Sequence, residues 1–409
     1  MRQTDIAIVG GGLGGSAAAA MLGRAGIDTV LIDPHRAYPP DFRCEKLDHA
    51  QVELVQKAGL ADVILPAAVL DREVAIARFG RLVERRPNQQ YGILYDKLVN
   101  TVRAAIPGDV PFIEAKATAI STSENRQQIT LSNGEEISAR LVVLANGLNI
   151  GLRHSLGLER EVLSECHSIS MGFDIAPAGR ANFDFRGMTY YPQHAEQKLA
   201  YLTFFPVSQD ASLRANLFCY RDMHDPWLRQ MRANPRETML AAMPGLDRLL
   251  GDFEVIGPVK VRPIDLYVTT GYRQAGIVLI GDAFATSCPA AGTGTNKVFT
   301  DVERLCNRHI GRWLASGGMG ADKIASFYDD PVKQVCEEHC LAKAYYLRDL
   351  STATGLAWTA RRWGRFLGHW GVGTLRSVGD QLSIFPHCRE DVGATGAAGS
   401  SAIRRVSNE

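Results

Sequence analysis

The segment Gly10-Gly11-Gly12-Leu13-Gly14-Gly15 constrains the fold of this chain more than any other. An apolar run, Ile6-Ala7-Ile8-Val9, precedes it, and an Ala-rich helical run over 16–24 follows. A second apolar run, Thr29-Val30-Leu31-Ile32, ends at Asp33. Strand, glycine turn, helix, strand and terminal acid are the parts of a dinucleotide-binding βαβ unit. Gly10 admits the turn, Gly12 lets a pyrophosphate approach the backbone, and Gly15 lets helix and sheet pack closely. Asp33 is placed to hold a ribose 2′-hydroxyl, which fits a dinucleotide without a 2′-phosphate. A glycine-rich turn in some other α/β fold is the competing reading, and the βαβ context with Asp33 weighs against it.

A second glycine-rich block lies near the other end of the chain. The apolar strand 276–280 runs into Gly281-Asp282, then Pro289, Gly292, Thr293, Gly294, Thr295 and Asn296, and a helical run over 297–314 follows. An acid at a strand end can bind a sugar hydroxyl of a cofactor. Pro289 sets a turn, and the small residues Gly292, Thr293 and Gly294 let backbone N–H groups approach a planar ring or an anion. The helix N-terminus behind them favours negative charge that develops on a ligand. Paired with the first signature, this block reads as the far wall of one nucleotide site in a discontinuous domain. The glycine motif alone does not separate FAD from NAD.

Bulk properties narrow the function further. The chain has 409 residues, enough for two or three packed units. Its net charge of +1, from 45 basic and 44 acidic residues, leaves no electrostatic footprint for nucleic acid. Eight Cys are scattered without a C-x-x-C. Cys336 and Cys340, near His339, form the closest pair, but no second ligand pair accompanies them, so no metal is expected. A reduced, cytoplasmic setting is expected. The chain opens almost directly into the first strand, without a signal-peptide pattern. Residues 6–23 are uncharged, but the glycine turn explains this better than a transmembrane helix.

Along the chain, the opening βαβ unit and a helix over 47–59 occupy 1–64. Residues 65–90 are strand-like, a helix covers 94–105, and 112–115 with 128–131 form a small meander. A buried strand over 139–144 ends at Ala145-Asn146-Gly147. From 164 to 266 the sequence alternates and is rich in aromatics, which predicts an antiparallel sheet with an aromatic ligand face, interrupted by a helical excursion over 225–250. The fold class expected is therefore α/β: a discontinuous Rossmann-type dinucleotide-binding βαβ domain (1–64, 94–163 and 267–325) carrying an inserted antiparallel-sheet substrate domain (65–93 and 164–266). A helical C-terminal region (326–390) and a disordered Gly/Ala/Ser-rich tail (391–409) complete it.

Three blocks in this order make the sequence resemble the single-component FAD-dependent aromatic hydroxylases, flavoprotein monooxygenases with the p-hydroxybenzoate hydroxylase fold. They are Gly10 to Gly15 with Asp33; Asn146-Gly147 through Arg153, similar to D-G-x-x-S-x-x-R; and Gly281-Asp282 through Pro289, Gly292, Gly294, Asn296, Asp301 and Leu305, similar to G-D-x-x-H-x-x-x-P-x-x-G-x-G-x-N-x-x-x-x-D. The resemblance implies FAD bound by Gly10, Gly12, Leu13, Gly14, Gly15, Asp33, Ala117 and Asn146, with Arg43 near the pyrophosphate. It implies Asp282 at the ribityl group or pyrophosphate. It also implies Pro289, Gly292, Thr293, Gly294, Thr295 and Asn296 facing the isoalloxazine. The activity implied is insertion of one oxygen atom of O2 into an aromatic or electron-rich small molecule through a flavin C4a-hydroperoxide. NADH or NADPH would be the reductant.

The sequence departs from the pattern at Asn146 (for Asp), Ile150 (for Ser), Ala285 (for His) and Tyr95 (for Arg or Gln). Asn146 leaves the identity of the reductant open. Tyr190, Tyr191, Tyr201, Phe204 and Phe205 are candidates for the substrate face, with ordinary sheet core as the alternative for each. His167 and His194 are candidate bases, and no catalytic residue stands out. Residues 351–379 combine Trp, Phe and Arg without an acid, readable as a peripheral membrane contact or as a helical cap packed on the FAD domain. The rival functions are an FAD-dependent reductase acting on the C=C bonds of prenyl groups and a non-catalytic flavin-binding redox protein. A halogenase ranks below them, since no W-x-W-x-I-P occurs.

Overall fold

A computed structural model of the protein describes residues 1–368 apart from Cys44 and Gln193. Its first sheet is built around the strand Arg2–Val9, which pairs in parallel with Thr29–Asp33 on one side and Glu136–Leu144 on the other. Phe112–Glu114 extends the sheet beyond Thr29–Asp33, and Ile277–Leu279 lies parallel to the C-terminal half of Glu136–Leu144. The N-terminal half of that strand instead takes the antiparallel pair Gln127–Leu131 and Ala117–Ser121. Ile6, Ile8, Val30, Leu31, Val142, Val143, Ile277 and Leu279 are all fully buried, as strands covered on both faces must be. The helix Leu13–Arg24 packs through Ala17, Ala18, Ala19 and Ala20, whose small side chains bring it close to the sheet.

The second sheet has eight strands in the spatial order Phe253–Thr270, Glu159–Pro177, Leu213–Cys219, Leu199–Phe205, Gly187–Tyr191, Val69–Arg78, Arg81–Gly92 and Lys46–Leu47. Its pairings are antiparallel except where Gly187–Tyr191 meets Val69–Arg78 in parallel. The long strands Glu159–Pro177 and Phe253–Thr270 run through the boundaries expected at 163/164 and 266/267. The helical excursion is three helices, Pro226–Ala233, Pro235–Ala242 and Leu246–Leu250, packed on one face of this sheet. Pro226 and Pro235 each open a helix at a position that needs no backbone N–H.

Other differences from the sequence reading are local. The strand Ala117–Ser121 and the helix Ala61–Ala67 carried no clear pattern. The helix expected over 297–314 starts at Gly294 and turns π-helical over Leu305–Ile310. Of the stretch 351–379, residues 356–368 are helical, and Trp363 and Phe366 pack on Phe79 with ring centroids 5.0 Å away. Residues 369–379 of that stretch and the tail 391–409 lie outside the described residues. Among the described residues no helix is long and apolar enough to cross a membrane.

The helix Pro331–Thr352 is fastened to Gly294–Arg304 by a buried ionic group. Lys333 Nζ donates to Asp301 Oδ1 (2.6 Å) and Glu337 Oε1 (2.9 Å), and Lys297 also pairs with Glu337. Asp301 uses its other oxygen to accept the Gly281 N–H (2.8 Å), so this group also fixes the turn that carries Asp282. Asp301→Ala should therefore destabilise the protein by about 3–5 kcal/mol, because Lys333 keeps its charge and loses its closest carboxylate. Denaturant unfolding of the purified variant measures this.

Candidate functional site

The C-terminal ends of the parallel strands carry the first signature. Gly10 has φ +106°, and a Cβ there would strike the Ala145 carbonyl; a Cβ at Gly15 would overlap the Gly10 carbonyl oxygen. At Gly12 a Cβ would meet no protein atom within 4 Å, so the backbone is bare on the side where a pyrophosphate would lie. Asp33 is buried and accepts the Gly11 N–H at Oδ2 (2.7 Å) and the His35 N–H at Oδ1 (2.9 Å). Arg103, which the sequence reading did not single out, lies 3.2 Å from Asp33 and donates through Nε to the Gly11 carbonyl (3.0 Å). In sequence it looks like a solvent-facing arginine in the last turn of an amphipathic helix. Ala117 opens its strand shortly after Glu114, the partner of Asp33 in the sheet.

Arg43 ties the second signature block to the segment that follows Asp33. Its Nη1 donates to Asp282 Oδ2 (2.8 Å) and its Nε to Asp41 Oδ2 (2.7 Å), while Arg262 holds the other Asp41 oxygen (2.7 Å). Tyr95 packs under the Arg43 guanidinium, and burial pushes its phenol well up, so it remains neutral. The substitution of Tyr at this position thus supplies a π face to a cation instead of a charge.

The turn of the second block is shaped by Gly292, with φ +67° after the short helix Pro289–Ala291, and by Gly294, where a Cβ would crowd the Ser287 hydroxyl. Thr293 precedes the helix Gly294–Arg304 without a side-chain cap, and its buried Oγ1 has no partner among the described residues. Gln51, another residue missed in sequence, donates from Nε2 to the Gly292 carbonyl and to Asn296 Oδ1, each at 2.9 Å. It is also the third residue of a capping box with Asp48, which fixes its rotamer. That S/T/D-x-x-Q pattern was the available signal. Asn146 donates to the Asn149 carbonyl (3.1 Å) and leaves a buried Oδ1 without a partner beside Gly10. Arg153 turns away and donates to the Ala283 carbonyl (2.9 Å), bracing the Asp282 turn from behind.

A cleft with about 1090 Å³ of empty space, part of it open to solvent, lies between this turn and the second sheet. Leu13, Arg43, Asp282, Pro289, Gly292, Gly294 and Thr295 form one wall; Tyr201, Thr203, Phe205, Asn216 and Phe218 form the other. Tyr201 donates to the Ala290 carbonyl (2.7 Å), tying the walls together. Tyr190 and Phe204 do not belong to this face. Both are fully buried in the core beneath the three helices, and Tyr190 donates to the Pro244 carbonyl. Strand side chains alternate, so Phe204 and Phe205 had to point to opposite faces. Tyr191 is stacked under Arg78 (4.1 Å), outside the cleft. Phe204→Ala should cost about 3–5 kcal/mol of stability with substrate KM unchanged. Phe205, equally buried but on the cleft side, should lose stability on truncation to Ala as well and, unlike Phe204, should also raise KM in steady-state kinetics.

Neither candidate base reaches the cleft. His167 is buried between Ser164 (3.1 Å) and the Ala344 carbonyl (3.4 Å), and burial lowers its pKa, so it serves as a neutral tie to the helix Pro331–Thr352. His194 is exposed and lies in a small groove beside Arg78. Among the described residues no cluster of His, Cys, Asp or Glu is placed to hold a metal ion.

FAD fits what the residues offer: a bare Gly12 at a helix N-terminus, orphaned acceptors at Asn146 and Thr293, and an open Gly292 turn across a cleft. Two glycine-rich walls closing on a polar and aromatic sheet face fit a flavin-dependent oxidoreductase. Residues 3–311 match the family model described as FAD binding domain, and the protein belongs to the FAD-dependent aromatic hydroxylase family. It is 25% identical to ubiquinone hydroxylase UbiL of Rhodospirillum rubrum over 359 residues, 80% of this sequence and 77% of that protein. It is equally 25% identical to digeranylgeranylglycerophospholipid reductase of Methanocella arvoryzae, with 86% of this sequence and 88% of that protein covered. The crystal structure of p-nitrophenol 4-monooxygenase PnpA from Pseudomonas putida has the same fold, with a TM-score of 0.73, 15% identity, and coverage of 93% and 97%.

Proposed function

We propose that this flavoenzyme is a monooxygenase that uses NADH or NADPH and inserts one oxygen atom of O2 into an aromatic or electron-rich small molecule. The observation that carries the reading is the cleft itself, in which a row of polar and aromatic side chains faces the Gly292 turn. Gly12, Leu13, Asp33, Arg43 and Asp282 would hold the FAD adenosine and pyrophosphate end. The backbone at 292–296 would face its ring. FAD held there would supply the redox chemistry of the reaction.

The protein's own residues do the rest. The backbone N–H groups that open Gly294–Arg304 stabilise negative charge on the ring side of the cleft. Tyr201, Phe205 and Phe218 hold an aromatic ring and exclude water, while Thr203, Asn216 and Ser170 orient its polar substituents. A reductase of prenyl C=C bonds is the second reading, favoured by the match to the Methanocella arvoryzae reductase. The polar groups along the cleft weigh against it, because a long hydrocarbon would leave them unpaired.

The test follows oxygen uptake and oxidation of NADH and NADPH by the purified holoenzyme with a panel of phenols and N-heteroaromatic acids. Substrate-stimulated oxygen uptake with an oxygenated product is expected. Saturation of an alkene without oxygen uptake would establish the reductase instead.

A further inference from the structure

Phe42, Glu45 and Lys46 lie over the cleft face of the second sheet. Phe42 lies directly on Gly172, where a side chain would collide with its ring, and Arg262 donates to the Phe42 carbonyl (3.0 Å). Lys46 Nζ reaches Thr203 Oγ1 (3.3 Å). Glu45 is 3% exposed while it still lines the cleft. Its Oε2 lies 3.4 Å from Arg214 Nε and, with the Asn216 amide turned to donate, 3.2 Å from that nitrogen.

Glu45 is not a simple ion pair. Arg214 Nε is as close to Asp174 (3.3 Å), so one guanidinium serves two carboxylates. Lys260 also acts on it, and Arg43, Lys46 and Arg262 line the same cleft. Burial pushes the Glu45 carboxyl up to about 7, against the opposing pull of Arg214 and Asn216. Among the described residues the other carboxylate lining the cleft, Asp282, is held by Arg43, and neither candidate histidine reaches the cleft.

We infer that Glu45 exchanges a proton with the substrate, and that the substrate class carries an ionisable ring hydroxyl, as a phenol or hydroxylated N-heteroaromatic does. This rests on the hydroxylase reading above. In the step, a Glu45 carboxylate oxygen takes the hydroxyl proton. The substrate O–H bond breaks, its electron pair stays on the ring oxygen, and a new O–H bond forms on Glu45. The resulting phenolate is more electron-rich at the ring carbons that receive oxygen, and Lys46 faces the same cavity to balance its charge. The proton returns to water when product leaves.

The experiment compares holoenzyme of the native sequence with Glu45→Gln and Glu45→Asp. Infrared spectra of the holoenzymes should show a protonated-carboxyl C=O band that disappears as pH rises through about 7 and is missing in Glu45→Gln. With the best ring-hydroxyl substrate of the panel, kcat/KM should rise with pH through the same range. Glu45→Gln should lose that limb and about 100-fold in kcat/KM above it, and Glu45→Asp should restore part of both. All three should keep bound FAD, which separates this loss from misfolding. A band that survives in Glu45→Gln, no band titrating near neutrality in the native sequence, or an unchanged pH profile overturns the inference. Oxygen uptake stimulated by compounds lacking a ring hydroxyl, and not by those bearing one, overturns it while leaving the hydroxylase intact. No oxygen uptake with any compound overturns the hydroxylase reading itself.

Discussion

Gly12→Ala should abolish tight FAD binding while the polypeptide folds as before. The added methyl meets no protein atom, so the fold has no reason to resist it. Gly12 occupies the N-cap position of Leu13–Arg24 in an extended conformation that alanine also adopts, and the change there costs at most about 1 kcal/mol. In the proposed site the methyl would instead occupy the space through which the pyrophosphate would approach the helix N-terminus. Loss of those N–H contacts should weaken FAD by at least about 100-fold, or roughly 2.7 kcal/mol. Gly15→Ala is the counter-experiment. There the methyl overlaps the Gly10 carbonyl, so strand and helix must separate, and little folded protein should be recovered. Fluorescence titration with FAD and thermal unfolding of each apoprotein distinguish the two outcomes. A Gly12→Ala protein with native FAD affinity would mean that the cofactor does not lie over this turn.

Arg43→Ala should have the next largest effect. Arg43 stands between two carboxylates, Asp41 and Asp282, on segments far apart in sequence. Removing it leaves two anions beside the pyrophosphate, with Arg262 able to compensate at Asp41 alone. Truncating one partner of a hydrogen-bonded charge pair costs about 2–5 kcal/mol when desolvated, and the pair is about one-quarter exposed, so the lower end applies. FAD affinity should fall by about 30–100-fold. The double variant Arg43→Ala/Asp282→Ala should bind FAD more weakly than Arg43→Ala alone, because Asp282 would itself hold the cofactor. Better binding by the double variant would mean that Asp282 acts only as the partner of Arg43.

What could be read from the sequence follows from the range of the physics. The strand–turn–helix at 6–24, Asp33 and the glycines from 281 to 294 are legible because backbone conformation dictates residue type locally. Gln51, Arg103 and Glu45 were not, because each acquires its role from a partner more than forty residues away: Gly292, Gly11 and Arg214. The aromatic face was half legible. The alternation along Leu199–Phe205 says that Phe204 and Phe205 point apart, but which of them faces the cofactor depends on where the three helices pack. The bulge between Leu199 and Tyr201 shifts the register just before them, which defeats simple counting. The departure at Asn146 also acquires a physical meaning in the fold: its unpaired Oδ1 beside Gly10 can accept a hydrogen bond from a ligand, which the Asp it replaces would do with a charge.

The central claim is that one atom of molecular oxygen enters the substrate. The most direct measurement is turnover of the holoenzyme under ¹⁸O₂ with NADH or NADPH, using the compound that best stimulates oxygen uptake, followed by mass spectrometry of the product. One labelled oxygen atom per product molecule is the expected result. A product with no label, with the nicotinamide consumed and the substrate reduced or unchanged, would contradict it.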